Sequence, residues 1–227
     1  MKKRRLLSLF LSFALLLPLF ASFSAEAYED FTLDARAGLL IEADTGEILY
    51  EKNARQENYP ASLTKIMTAL LVFEAIDEGK LSLSDSVTAT ESAFDGLASD
   101  GSTADIVPGE TMTVEQLLNC MLIVSANETC NILGEYISGS VEAFVARMNE
   151  RASELGCEHT HFANATGLHN SQHYTTAWDL YLITREAMKH EKFMEICNSK
   201  SYTVPATNMT EKPRELHSTN FLISNWR

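Results

Sequence analysis

The chain has 227 residues and a formal net charge of −13, with 45% apolar and 22% charged residues. This balance fits one full-sized globular domain and excludes a disordered or fibrous protein. The acidic surplus excludes electrostatic recognition of nucleic acid and gives the globular part no attraction to an anionic membrane.

The first residues carry an address. Met1-Lys2-Lys3-Arg4-Arg5 is a positive cluster, Leu6 to Phe20 an apolar run, and Ala25-Glu26-Ala27 a small-x-small site. That order is a secretory signal peptide over residues 1–27, cleaved after Ala27. The apolar run is shorter than the roughly 20 residues of a membrane span and contains Pro18. The working protein, 28–227, is therefore expected outside the cytoplasm as one domain. Export raises the question of disulfides. Cys120 and Cys130 sit in apolar helical runs, so they read as small buried hydrophobes rather than a disulfide framework.

Residues 37–52 read as a hairpin turning at Asp44-Thr45-Gly46. Residues 62–78 read as a helix apolar nearly all round, hence buried on most sides, and stopped by Gly79. A second helix follows Thr113, with Val114, Leu117, Leu118, Met121 and Leu122 on one face. After a break at Ser125-Ala126-Asn127, helicity resumes to about Ile137. Two amphipathic helices follow, Val141 to Leu155 and Ala177 to Lys189, the latter opened by a capping box Thr176-x-x-Asp179. Residues 200–204 read as a strand. Strand pair, helical body and late strand predict an α+β fold, a helical body packed on an antiparallel sheet.

Two local features carry chemistry. In Pro60-Ala61-Ser62-Leu63-Thr64-Lys65, Ser62 falls in the first turn of the buried helix, where free N–H groups favour a developing oxyanion. Lys65, three residues on, rises from the same face. No carboxylate stands at i±3 or i±4 of Lys65, so burial should depress its pKa and suit it as base for the Ser62 proton. The bland alternative has Ser62 capping the helix and Lys65 reaching solvent. In the second feature, Ser125-Ala126-Asn127, Ser125-x-x-Glu128 also fits a capping box, which would occupy the hydroxyl. The functional alternative makes Ser125 a proton shuttle beside Lys65, with Asn127 orienting Lys65 and a substrate amide.

Taken together, these segments resemble the low-molecular-weight penicillin-binding proteins, the serine-type D-alanyl-D-alanine carboxypeptidases. Those are similar in fold to class A β-lactamases and share the S-x-x-K, S-x-N and K-T-G motifs. The resemblance rests on residues 60–68, on Gly109-Glu110 through Leu117-Leu118 with Ser125-Ala126-Asn127-Glu128, and on the loop His161-Phe162-Ala163-Asn164, Gly167-Leu168 and His173-Tyr174-Thr175-Thr176.

The resemblance implies Ser62 as nucleophile, Lys65 as general base, Ser125 as proton shuttle and Asn127 as a substrate-binding residue. It also implies peptidoglycan stem peptides as substrate, β-lactams as acylating mimics, no metal or organic cofactor, and a place in the cell envelope. Membrane attachment is not visible in the sequence. One departure is clear: no Lys-Thr-Gly occurs among the 227 residues. By this resemblance the catalytic domain is incomplete at its C-terminus and lacks its last strands, so the chain alone is expected to be inactive or very weak.

Two rival readings differ in chemistry. A class A β-lactamase is suggested by Glu115-Gln116-Leu117-Leu118-Asn119, which fits E-x-x-L-N but precedes the S-x-N segment, where a β-lactamase needs it after. A zinc-binding or structural envelope protein is suggested by Cys157-x-His159-x-His161 with His169 and His173, although the spacing matches no standard closed site.

Overall fold

In the computed structural model, residues 32–225 are described, and the signal segment read at 1–27 lies outside them. β1 (Gly38–Ile41) and β2 (Ile48–Lys52) pair antiparallel, with a register irregularity between Leu40 and Ile41. Their turn is tied by Glu42, whose carboxylate accepts from both the N–H and the hydroxyl of Thr45 at 2.6 Å.

The predicted helix at 62–78 is two pieces. A 3₁₀ turn, Ala61–Thr64, runs into α1 (Lys65–Asp77). Met67, Ala69, Leu70, Val72 and Phe73 of α1 are all nearly inaccessible, so this helix forms the centre of the core. It ends in a Schellman motif, with Gly79 N–H donating to Ile76 and Lys80 N–H to Ala75, and with Gly79 at φ +70°.

A short ladder of β3 (Ser86–Thr88) with β4 (Thr111–Thr113) leads into α2 (Val114–Val124). Thr113 and Gln116 close a reciprocal capping box there. α3 (Glu128–Ser138), α4 (Val141–Glu154), α5 (Ala177–Ala187) and α6 (Glu191–Cys197) complete the helical body. β5 (Ser201–Val204) pairs antiparallel with β6 (Arg214–His217), and α7 (Phe221–Asn225) follows. Leu117, Leu118, Met121, Leu133, Phe144, Met148 and Ile183 pack the space around α1.

The fold is α+β, as the order of elements predicts, but its strands form three separate two-stranded ladders among the described residues. Two local expectations change. Thr176 caps α5 through Asp179 N–H, yet the Asp179 carboxylate turns away, to His159 N–H at 2.9 Å and Thr160 Oγ1 at 2.7 Å. Ser125 is no N-cap: it is the C-cap of α2, left-handed at φ +61° with its N–H donating to Cys120 O. Glu128 instead accepts from Thr103 Oγ1 and Ala104 N–H, both at 2.8 Å. Among the described residues all four cysteines are free. Burial pushes the Cys120 and Cys130 thiols up to about 12, consistent with inert core residues.

One buried ion pair joins distant segments. The fully buried Glu110 carboxylate meets Arg214 in a two-pronged contact, 2.7 Å at Oε1 and 2.8 Å at Oε2. Thr207 Oγ1 donates to the same carboxylate at 2.6 Å. No helix among the described residues is long and apolar enough to cross a membrane.

Candidate active site

Ser62 lies on the exposed 3₁₀ turn, and Lys65, the first residue of α1, is only 3% exposed. The spacing of three places the amine against the hydroxyl: Lys65 Nζ stands 3.2 Å from Ser62 Oγ. Two other groups complete its surroundings, Asn127 Oδ1 at 2.8 Å and the Thr166 carbonyl oxygen at 2.9 Å.

Both of those groups only accept hydrogen bonds, whereas the serine hydroxyl can also donate. A neutral amine therefore places its two N–H bonds on Asn127 and Thr166 and turns its lone pair to the Ser62 O–H. Burial holds the Lys65 pKa below the ordinary lysine value, and the Cys130 thiol and Glu128 carboxylate oppose this only in part. The alternative in which Lys65 reaches solvent is excluded by its burial.

The turn is held under backbone strain. Ala61 has φ +48° and Ser125 φ +61°, so the residue before one serine hydroxyl and the residue bearing the other are both left-handed. Asn127, seven per cent exposed, is fixed by its own N–H donating to Ser102 O at 2.9 Å. Its Nδ2 lies over Gly101, where a Cβ would stand 2.7 Å away.

The Ser125 hydroxyl is buried and has no hydrogen-bond partner in the structure. Ser62, Lys65 and Asn127 are thus joined directly, and Ser125 stands two residues from Asn127 without a bond to Lys65.

Several supporting residues are not evident from the motifs. Thr64 Oγ1 meets His173 Nε2 at 2.8 Å, and Thr68 Oγ1 donates to Ala165 O at 2.8 Å. With the Lys65–Thr166 bond, these tie one face of α1 to the 163–168 loop. The Ala163 N–H donates to His173 Nδ1 at 3.2 Å, which assigns the proton to Nε2 and makes the ring the donor to Thr64. Burial and the nearby His161 hold His173 at about 4, so it is neutral at physiological pH. The sequence signal for this tie is slight: Thr64 at the end of the 3₁₀ turn and Thr68 within the buried run of α1.

The rival constellations are not assembled. Glu115 pairs with Lys192 at 2.6 Å on the outer side of α2. His159 faces Glu57, His161 contacts the Gln172 carbonyl, and His169 packs edge-on to Tyr59. No group of three or more metal-binding side chains gathers among the described residues.

Comparison with known proteins agrees with this geometry. Residues 23–225 match the peptidase S11 family, described as D-alanyl-D-alanine carboxypeptidase. The D-alanyl-D-alanine carboxypeptidase DacF of Bacillus subtilis (strain 168) is 39% identical over 204 residues, covering 90% of this chain and 51% of that protein. DacC of Escherichia coli (strain K12) is 33% identical over 208 residues, covering 89% of this chain and 52% of its own length. Among solved structures, a point mutant of Streptomyces K15 DD-transpeptidase superposes with a TM-score of 0.79 at 30% identity, over 87% of this chain and 78% of that one. Penicillin binding protein 5 from Haemophilus influenzae gives 0.79 at 29% identity, over 87% and 56%. The chain spans about half the length of the curated relatives it matches. With its motifs, its fold and a family match over most of its length in agreement, the chain belongs to the D-alanyl-D-alanine carboxypeptidase family, peptidase S11.

Proposed function

We propose that the chain carries the nucleophile, base and S-x-N segment of a serine-type D-Ala-D-Ala carboxypeptidase that acts on peptidoglycan stem peptides in the cell envelope. The observation that carries this reading is the Lys65 amine, buried and hydrogen-bonded to Ser62, Asn127 and the Thr166 carbonyl.

Lys65 takes the Ser62 proton, and Ser62 Oγ attacks the carbonyl between the two terminal D-alanines. The Ser62 N–H supplies one oxyanion donor. As the C–N bond breaks, Ser125 relays the proton held by Lys65 to the departing amine, which leaves as D-alanine and returns Lys65 to its neutral form. Water then hydrolyses the Ser62 ester and restores the hydroxyl. A β-lactam acylates Ser62 by the same attack, its ring amide opening in place of the peptide bond. Asn127 orients Lys65 and binds the substrate amide. No step needs a metal or an organic cofactor, and residues 1–27 act as the export signal.

The 227 residues contain no Lys-Thr-Gly, the motif that the family resemblance assigns to the substrate carboxylate. The test is prolonged incubation with a fluorescent penicillin, followed by mass spectrometry of the modified peptide. An adduct on Ser62, lost in Ser62→Ala and Lys65→Met, supports the reading. An adduct on another residue, or one on Ser62 that persists in Lys65→Met, overturns it.

A further inference from the structure

Asn164 sits in the loop between α4 and α5, and its side-chain bonds stay within its own turn. Oδ1 accepts from Thr166 N–H at 3.2 Å, Thr166 Oγ1 at 3.1 Å and Gly167 N–H at 2.7 Å. Nδ2 donates to Leu168 O at 2.8 Å. Four bonds on one amide close a turn that aims two buried carbonyls at α1, that of Ala165 at Thr68 Oγ1 and that of Thr166 at Lys65 Nζ, 2.9 Å away. Thr166 is 2% exposed and Ala165 fully buried, so the same turn covers the amine.

We propose that Asn164 is a positioning residue for the Ser62–Lys65 pair, closing the Thr166–Leu168 turn so that the Thr166 carbonyl takes one Lys65 N–H bond and water is kept from the amine. The proposal rests on the reading of Lys65 as base, but it concerns a property of the resting protein. With the turn closed, one acceptor is backbone, placed without any flexible side chain, and the lone pair is left for Ser62. With the turn open, water replaces the carbonyl, solvates the ammonium form and removes the base. An asparagine serves here because it supplies both an acceptor for three donors and a donor for Leu168, without adding a charge beside the amine.

The full chain labelled with ¹³C-lysine tests this, the Lys65 signal being assigned by its loss in Lys65→Met. The wild-type titration midpoint is expected below the ordinary lysine value. Asn164→Ala should raise it by about one pH unit, or roughly tenfold less neutral amine at a given pH below both midpoints. Asn164→Ser, whose hydroxyl can hold part of the turn, should raise it by less. Thr68→Val removes the neighbouring tie to Ala165 and serves as control: it should lower thermal stability and leave the midpoint in place. The proposal is overturned if the Asn164 variants titrate like wild type, or if Thr68→Val shifts the midpoint equally. Should Asn164→Ala fail to fold, Asn164→Ser against Thr68→Val decides in the same way. Because nothing is acylated, failure of the proposed hydrolase activity would show in penicillin labelling and leave this measurement standing.

Discussion

Gly167 is packed so closely on Ala61 that a Cβ at position 167 would stand 1.8 Å from the Ala61 carbonyl oxygen and 2.4 Å from its carbon. The neighbour is backbone and cannot swing away. This contact presses the 163–168 loop onto the strained turn that presents Ser62, and the loop returns the Thr166 carbonyl to Lys65 from 101 positions away.

Gly167→Ala therefore meets two costs, the clash and a left-handed backbone at φ +89°. The expected loss is about 3 kcal/mol or more in urea unfolding. Ala61→Gly should stay within about 1 kcal/mol of wild type, because relief of its left-handed conformation is offset by added freedom in the unfolded chain.

Gly101 works on the other partner of Lys65. An alanine there stands 2.7 Å from Asn127 Nδ2 and 3.1 Å from the Ala98 carbonyl oxygen, and of the two the side-chain amide is the one that can turn aside. Gly101→Ala is thus expected to fold with little change in melting temperature while displacing the Asn127 amide from the Lys65 amine. The rate of Ser62 acylation by a fluorescent penicillin should fall about tenfold or more. An unchanged rate would show that Asn127 has room to spare.

The Glu110–Arg214 pair predicts both a mutational cost and an acid response. Arg214→Met leaves a buried carboxylate without its cation, at an expected cost of about 3–5 kcal/mol by chemical denaturation. Burial alone would raise the Glu110 pKa, but Arg214, Thr207 and the Val107 N–H more than reverse it, so the folded value lies below the ordinary one. This contribution is present above the unfolded-state pKa and is lost as pH falls through the lower folded value.

His173 acts at higher pH. Its folded pKa is about 4 against 6.5 for the free ring, so the unfolded chain binds the extra proton first. Stability should fall as pH drops from about 6.5 toward 4, by about 3 kcal/mol in total. In His173→Gln that part of the acid dependence should vanish from a series of thermal melts. A wild-type curve flat across this window would contradict the buried, neutral ring.

Much of the site is local and legible without a structure. S-x-x-K places Lys65 one turn beyond Ser62, because residues three apart share a helix face. The burial of Lys65 follows from the apolar faces of α1, and Thr113 with Gln116 marks the start of α2 as written. The helices from 114 to 187 are readable because each is long enough to show its period. The β3–β4 ladder, three residues on each side, and the seven-residue α6 are too short to carry one.

What the sequence by itself determined is the pairing of Ser62 with Lys65, the helices that hold them and the family. The tertiary structure decided the rest. Ser125-x-x-Glu128 is written like a capping box, but Ser125 ends α2 in the left-handed region and Asn127 stands at the N-cap of α3, while Thr103 and Ala104 take the Glu128 carboxylate. Asn127 reaches Lys65 across 62 positions, and the third group on the amine is a backbone carbonyl, identical in every residue type. Periodicity reports which face is buried. It carries no information on which distant donor or acceptor arrives there, since that depends on how loops close over the packed core.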